Sequence, residues 1–85
     1  MLNKHQLNVK ANSLEPILRI GKNGITENVI SEINKLLKKR KLIKIKLLKS
    51  FIEGKNKKEI VNLLVDKTNS TLIDQIGNVV VLFRK

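Results

Sequence analysis

The chain has 85 residues, which is enough for one domain spanning residues 1–85. Its hydrophobic content of 41% is typical of a folded globular protein and argues against disorder. It has no cysteine, which excludes a disulfide framework and a zinc finger and is expected of a cytoplasmic protein. No run of residues is long and apolar enough to cross a bilayer, and the polar N-terminus is not expected to be a signal peptide.

Basic residues outnumber acidic residues by 18 to 7, which gives a formal net charge of +11. The positive charge is concentrated, because eight basic residues and no acidic residue lie from Lys35 to Lys49. A concentrated positive field attracts polyanions, of which nucleic acid is the commonest and an anionic membrane a less common one. The alternative is a lysine-rich surface that reflects composition alone.

The first half of the chain predicts two helices with a short strand between them. Asn3 can cap the first helix, which ends before Pro16 because proline cannot continue a helix. The apolar run 17–20 is short enough for a strand, and a glycine loop follows it at residues 21–24. Thr26 is predicted to cap the second helix, whose apolar residues recur at helical spacing. They are Val29, Ile30, Ile33, Leu36 and Leu37.

A second strand is predicted where apolar and polar residues alternate, at residues 42–48. The alternation places Lys44 and Lys46 together on the open face of a half-buried strand. Residues 48–54 are predicted to form a loop, with Phe51 and the isoleucine after it folded over the core.

The last third of the chain predicts a helix and a hairpin. Asn56 is predicted to cap the third helix, which ends near Thr68. Its predicted buried side consists of Ile60, Val61, Leu63, Leu64 and Val65. Residues 71–76 and 79–84 predict two strands joined by a tight turn at Gly77–Asn78. The unbroken apolar run of the last strand favours a central position in the sheet.

The predicted fold class is α+β, with elements in the order α-β-α-β-α-β-β. Strand-helix-strand units favour parallel strands with right-handed crossovers, and a final hairpin makes the last strand antiparallel to its predecessor. We therefore expect a two-layer architecture, in which a mixed four-stranded sheet carries its helices mainly on one face.

The loop Gly21-Lys22-Asn23-Gly24 is the strongest functional candidate. Neither glycine has a Cβ atom that would keep a phosphate away from the backbone N–H groups. The helix that follows points the positive end of its dipole at the same place. Lys22 adds a charge, and Asn23 can bond a base, a sugar or the local backbone. The alternative is that the glycines only make a strand-to-helix turn.

The sequence offers little for catalysis or metal binding. His5 is the only histidine, and no cysteine can join it in a metal site. Glu27 and Glu32 belong to a helix surface, and no motif surrounds a serine. We therefore expect no enzyme activity, no cofactor and no metal. Since Phe51 and Phe83 are the only aromatic residues, we expect recognition of phosphate, 2′-hydroxyl and shape rather than stacking on many bases.

Several stretches, in order along the chain, carry a resemblance to a known family. They are Ile20-Gly21-Lys22-Asn23-Gly24-Ile25-Thr26, Lys41-Leu42-Ile43-Lys44-Ile45, Gln75-Ile76-Gly77 and Leu82-Phe83-Arg84, together with Ala11, Leu14 and Pro16. Over nearly its whole length the sequence resembles the chloroplast RNA splicing and ribosome maturation (CRM) domain. The stand-alone prokaryotic form of that domain is called YhbY-like.

The resemblance implies a fold like the C-terminal domain of translation initiation factor three and RNA binding without catalysis. It also implies that the Gly21–Gly24 loop contacts RNA and that stand-alone members bind precursors of the large ribosomal subunit. Asn12 and Ser13 replace histidines that are common in bacterial members, and Phe83 replaces a common tyrosine. Residues 68–70, Thr-Asn-Ser, replace a Thr-Gly-Ala-like turn. Contacts made by those histidines or that hydroxyl are not carried over.

Charge, loop and resemblance together predict a cytoplasmic protein that binds RNA, in particular ribosomal RNA, and does not bind membrane. The sequence does not determine the oligomeric state, for which a monomer is favoured. The predicted RNA-contacting residues are Gly21, Lys22, Asn23, Gly24, Lys35, Lys38, Lys39, Arg40, Lys41, Lys44 and Lys46. The charges at the end of the second helix also suit its dipole, so a structural role is the alternative there. Two other functions stay open: an Alba-like protein that binds duplex DNA, and a protein-assembly module, which an exposed apolar patch near Phe51 and Ile52 would favour.

Overall fold

The structure is a computed structural model that describes Gln6 and residues 15–85. The predicted first helix, which begins at Asn3, therefore lies outside the description. The described elements are β1 (Leu18–Ile20), α1 (Glu27–Arg40), β2 (Leu42–Leu47), α2 (Lys49–Ile52), α3 (Lys57–Thr68), β3 (Thr71–Ile76) and β4 (Val79–Phe83). No helix within the described residues has the length and apolar character needed to span a membrane.

The four strands form one mixed sheet in the order β1-β2-β4-β3. β1 runs parallel to β2, whereas β4 is antiparallel to both of its neighbours, β2 and β3. The predicted hairpin is present, with Gly77 at a positive φ of 57° in its turn. The predicted central position of the last strand is confirmed, because β4 lies between β2 and β3. The α+β class with a mixed four-stranded sheet is confirmed.

The main core lies between the sheet and the long helices. Alternate residues of β2, namely Ile43, Ile45 and Leu47, belong to it with 1% exposure or less. From β4 the core takes Val80 and Leu82, which follow the same alternation. The helices supply fully buried Ile33 and Leu37 from α1 and Val61 and Leu64 from α3.

A second, smaller apolar cluster is formed by the other set of alternating residues. It contains Leu42, Ile73 and Val81, with Phe83 packed against them. Val81 and Phe83 alternate along β4 with Val80 and Leu82 of the main core. β4 is therefore apolar on both faces, which explains its unbroken apolar sequence.

Both long helices begin at the predicted caps. The Oγ1 of Thr26 accepts a hydrogen bond from the backbone N–H of Val29 at 3.2 Å. The Oδ1 of Asn56 accepts bonds from the N–H groups of Lys58 and Glu59 at 3.0 and 3.3 Å. These acceptors satisfy N–H groups that have no partner inside the helix, which is why the sequence locates both starts well.

Two predictions about local structure are wrong. Residues 48–54 are not simply a loop, since α2 forms a single turn at Lys49–Ile52. The turn brings Phe51, which is 5% exposed, into the core. Leu63 is not on the buried side of α3 but is 41% exposed. The prediction that Phe51 and Ile52 fold over the core is confirmed, because Ile52 is half-buried and packs against the same core. These two residues therefore do not form the exposed apolar patch that would favour an assembly module.

Candidate nucleic-acid interface

The glycine loop is a closed turn at the carboxyl end of β1. The backbone N–H of Gly24 donates to the carbonyl oxygen of Gly21 at 2.9 Å. Lys22 and Asn23 occupy the corner of this turn and are both exposed. The turn therefore presents one cationic and one amide side chain to solvent, immediately before α1.

Both glycines also have a packing role. Gly24 has a φ of +70°, and a Cβ added there would lie 3.1 Å from Cε1 of Phe51. A Cβ on Gly21 would lie 3.2 Å from Cδ1 of Leu48. The loop therefore packs against α2 and Leu48 so closely that a side chain on either glycine would crowd its neighbour. Packing of the strand-to-helix turn therefore explains both glycines.

The N-terminus of α1 lies two residues beyond the loop. Its cap, Thr26, satisfies the N–H of Val29, and its carbonyl accepts the N–H of Ile30 at 3.0 Å. The N–H groups of the first turn that precede Val29 have no intrahelical acceptor. Together with the helix dipole they make this end of α1 favourable for an anion.

A cleft of about 630 Å³ runs from this end of α1 toward its other end. Its walls are Ile25, Thr26, Glu27, Ile30, Ser31, Asn34, Lys35, Lys38, Lys67 and Arg84. Lys35 and Lys38 come from α1 and Lys67 from the last turn of α3, so two helices supply its cations. The cleft therefore begins at Ile25, the residue after the glycine loop, and reaches two of the predicted helix lysines.

Arg84 joins the walls of this cleft. Its guanidinium donates to Oδ1 of Asn34 on α1 and to the carbonyl oxygen of Thr68 at the end of α3. Its backbone N–H donates to the carbonyl oxygen of Lys41 at 2.9 Å. The Nε of Arg84 is buried without an acceptor in the described part of the chain. Arg84 thus holds α1 and α3 together while contributing positive charge to the cleft.

The remaining predicted helix cations lie at the far end of α1. Lys39, Arg40 and Lys41 are exposed. α1 has 14 residues, so at about 1.5 Å per residue they are on the order of 20 Å from the glycine loop. Lys41 caps the helix with a φ of 69°, and its N–H donates to the carbonyl of Leu37. These three residues are not brought to the loop, and their charges also stabilise the helix end.

The predicted strand lysines lie on the opposite face of the sheet. Lys44 and Lys46 alternate with Ile43, Ile45 and Leu47, whose side chains belong to the core under the helices. Lys46 is exposed, whereas Lys44 is half-buried and already engaged in an interaction of its own.

Sequence reasoning missed basic residues on both faces. Arg19 is exposed and pairs in register with Lys46, so Arg19, Lys44 and Lys46 form what we call the sheet-side strip. Lys67 was missed because only the packing of α3 beside α1 brings it to Lys38. Residue spacing along the chain carries no signal for such a pairing.

Near the loop, two further lysines escaped prediction. Lys55 places its Nζ 5.4 Å from the centroid of the Phe51 ring. The Nζ of Lys57 donates to the carbonyl oxygen of Gly77 at 3.3 Å, linking the start of α3 to the hairpin turn.

Within the described residues, no group of three His, Cys, Asp or Glu side chains is arranged to hold a metal ion.

Comparison with known proteins identifies the family. The model of the CRS1/YhbY (CRM) domain matches residues 2–84. The chain is 38% identical over 82 residues to the probable RNA-binding protein YqeI of Bacillus subtilis, covering 96% of this chain and 83% of that protein. It is 35% identical over 74 residues to an RNA-binding protein of Haemophilus influenzae, covering 87% and 73%.

An archaeal relative and a solved structure extend the comparison. A probable RNA-binding protein of Methanocaldococcus jannaschii is 38% identical over 81 residues, covering 95% of this chain and 60% of that protein. The solution structure of a hypothetical Staphylococcus aureus protein, described as a candidate RNA-binding protein, superposes with a TM-score of 0.79 at 38% identity. The match covers 100% of this chain and 90% of that one. The chain belongs to the CRS1/YhbY (CRM) domain family, as the resemblance in its sequence predicted.

Proposed function

We propose that this protein binds RNA without catalysing a reaction, through the glycine loop and the cleft along α1. The observation that carries the proposal is the cleft itself. It begins beside the loop at Ile25 and Thr26 and collects Lys35, Lys38 and Lys67 from two helices. Three lysines and Arg84 outnumber the one carboxylate of the cleft, Glu27, and such an excess of positive charge along a helix suits a polyanionic backbone better than a small neutral ligand. We call the Gly21–Gly24 loop and this cleft together the helix-side surface.

The RNA class follows from the relatives. Proteins that are 35–38% identical to this chain over the aligned residues are named as RNA-binding or probable RNA-binding proteins. The resemblance to stand-alone CRM domains favours ribosomal RNA in precursors of the large subunit, and hence a role in ribosome assembly in the cytoplasm. On this proposal the protein binds as a monomer, because one chain supplies both the loop and the cleft.

The recognition chemistry is dominated by the RNA backbone. The chain has two aromatic residues, and one of them, Phe51, is almost wholly buried. Stacking platforms need several exposed aromatic rings. Affinity therefore comes chiefly from phosphate contacts and falls steeply with salt. With roughly six phosphates contacted, log K falls against log salt with a slope of about −4 to −5.

The experiment is a parallel titration at near-physiological salt. A large-subunit ribosomal RNA fragment, a small-subunit fragment and a duplex DNA of equal length are compared for the wild type, Lys22→Gln and Lys46→Gln. Lys46→Gln is the matched control, because it removes the same charge from the opposite face. Gly24→Asp is a poor probe of the loop, since Gly24 has a positive φ and contacts Phe51.

We expect tight binding to the large-subunit fragment, weakened several-fold by Lys22→Gln and little by Lys46→Gln. Equal binding to both ribosomal fragments would remove the large-subunit proposal and leave RNA binding. Equal binding to RNA and duplex DNA would favour the Alba-like alternative. No binding, or a response that is flat against salt, would favour a protein-assembly module.

A further inference from the structure

A second, smaller cleft shares one wall residue, Ile25, with the α1 cleft. It has a volume of about 340 Å³, which is at the low end of the range for small-ligand sites. Its walls are Ile25, Phe51, Lys55, Asn56, Glu59, Ile60 and Leu63. Ile25 directly follows Gly24 and lines both clefts, so the second cleft begins at the glycine loop.

The floor of this cleft is apolar, and one of its side chains is left exposed by the fold. Phe51 and Ile60 are 5% and 7% exposed and belong to the main core. Leu63 lies about one turn beyond Ile60 on α3 and is 41% exposed. It is one of two exposed large hydrophobic residues in the described part of the chain, and the other, Ile76, does not line this cleft. A ligand in the cleft would cover it.

The rim of the cleft carries one charge of each sign. Lys55 reaches over the Phe51 ring, with its Nζ 5.4 Å from the ring centroid. Glu59 lines the cleft from the first turn of α3. A carboxylate repels phosphate but accepts hydrogen bonds from the exocyclic amines of nucleobases. Glu27 lines the α1 cleft in the same way, but three lysines and Arg84 outnumber it there. In the second cleft one lysine is balanced by one carboxylate, so this cleft suits a base better than the sugar-phosphate backbone.

We propose that the second cleft takes one unstacked nucleobase of the RNA whose backbone lies on the glycine loop. The proposal rests on the proposed function, because the loop must hold the neighbouring phosphate. A flat, partly polar base can cover the exposed part of Leu63 and approach the cation of Lys55. A volume of about 340 Å³ is large enough for a single base and small for a helix of a partner protein, which needs a longer groove.

The test compares two single-stranded RNA oligomers of equal length. One is unmodified, and the other is abasic, so that it keeps every phosphate and 2′-hydroxyl but has no base. Both are titrated against the wild type, Leu63→Ala, Lys55→Met and Asn62→Ala. Asn62 is an exposed neighbour of Leu63 that does not line the cleft, so Asn62→Ala is the matched control. Folding of each variant is checked by circular dichroism.

We expect the wild type to bind the unmodified oligomer about 5- to 100-fold more tightly than the abasic one. Leu63→Ala and Lys55→Met each reduce this ratio, whereas Asn62→Ala leaves it unchanged. Equal binding of the two oligomers by the wild type overturns the base cleft but keeps the proposed function. A ratio that Leu63→Ala and Lys55→Met leave intact also overturns it. Failure of both oligomers to bind contradicts the proposed function as well.

Discussion

Two basic regions of this small domain differ in shape more than in charge. The helix-side surface is concave, and its cations come from the loop, α1 and α3 around a cleft of about 630 Å³. The sheet-side strip, Arg19, Lys44 and Lys46, lies on strands, and its Lys44 is half-buried and already engaged in another interaction. Cations around a concave surface can contact successive phosphates of one backbone. The comparison teaches that the count of lysines in a segment does not locate a binding surface.

The largest expected effect comes from reversing charge on each region in turn. Lys35→Glu/Lys38→Glu and Arg19→Glu/Lys46→Glu change the net charge equally. We expect the helix-side pair to weaken RNA binding about 100-fold, through two lost contacts and two new repulsions. We expect less than about 5-fold from the sheet-side pair, which alters only the general field. The affinities are measured by fluorescence anisotropy at one fixed salt concentration. Equal losses of RNA affinity would show that the two regions contribute equally to binding.

Replacing Arg84 tests how the helix-side cleft is held together. Arg84→Met removes hydrogen bonds to Asn34 and to the carbonyl of Thr68 and leaves that buried carbonyl unpaired. We expect the free energy of unfolding to fall by about 2–3 kcal/mol, measured by urea denaturation. The control is Lys85→Met, at the exposed neighbouring position, which should change stability by less than about 0.5 kcal/mol. An Arg84→Met protein as stable as the wild type would show that the hydrogen bonds of Arg84 do not stabilise the fold and that Arg84 contributes only its positive charge to the cleft.

The glycine loop can be tested against a glycine outside it. Gly24 and Gly54 have similar φ values of +70° and +76°, but only Gly24 has a neighbour, Phe51, where a Cβ would lie. We expect Gly24→Ala to cost about 2 kcal/mol of stability and Gly54→Ala about 1 kcal/mol. Thermal denaturation of the two variants gives the difference, which isolates the contact with α2. If the two costs are equal, the approach of Phe51 does not constrain the loop.

Much of the fold follows from local chemistry in the sequence. Thr26 and Asn56 cap their helices through their own side chains, and the alternation of Lys44 and Lys46 with isoleucine assigns the faces of β2. The exposure of Leu63 could not be predicted from the sequence, because helical spacing alone did not show which side of α3 faces the core.

The candidate site was only partly predictable for the same reason. The glycine loop is contiguous in sequence and was found. The cleft needs Lys38 and Lys67 to line one depression from different helices, and the hydrogen bonds of Arg84 join residues 50 and 16 positions away in sequence. Such pairings depend on how α1 and α3 pack, so charge density along the chain could not separate Lys35 and Lys38 from Lys39 to Lys41.

The smallest expected effect concerns Lys41, where the chain passes from α1 to β2. Its φ of 69° is unfavourable for any residue with a Cβ. We expect Lys41→Gly to raise the free energy of unfolding by about 0.5–1 kcal/mol, since relief of this strain exceeds the added entropy of the unfolded chain. Lys39→Gly, inside the helix, should lower it by about 1 kcal/mol. Loss of stability in both variants would show that the Lys41 side chain contributes more than its backbone strain costs.

The most direct test of the helix-side surface is an NMR titration of ¹⁵N-labelled protein with a ribosomal RNA hairpin. We expect the largest changes in amide chemical shift at Lys22, Asn23, Lys35, Lys38 and Lys67. Arg19 and Lys46 should change little. Largest changes on the sheet-side strip, with Lys22 and Asn23 unmoved, would contradict the assignment of RNA binding to the glycine loop and the α1 cleft.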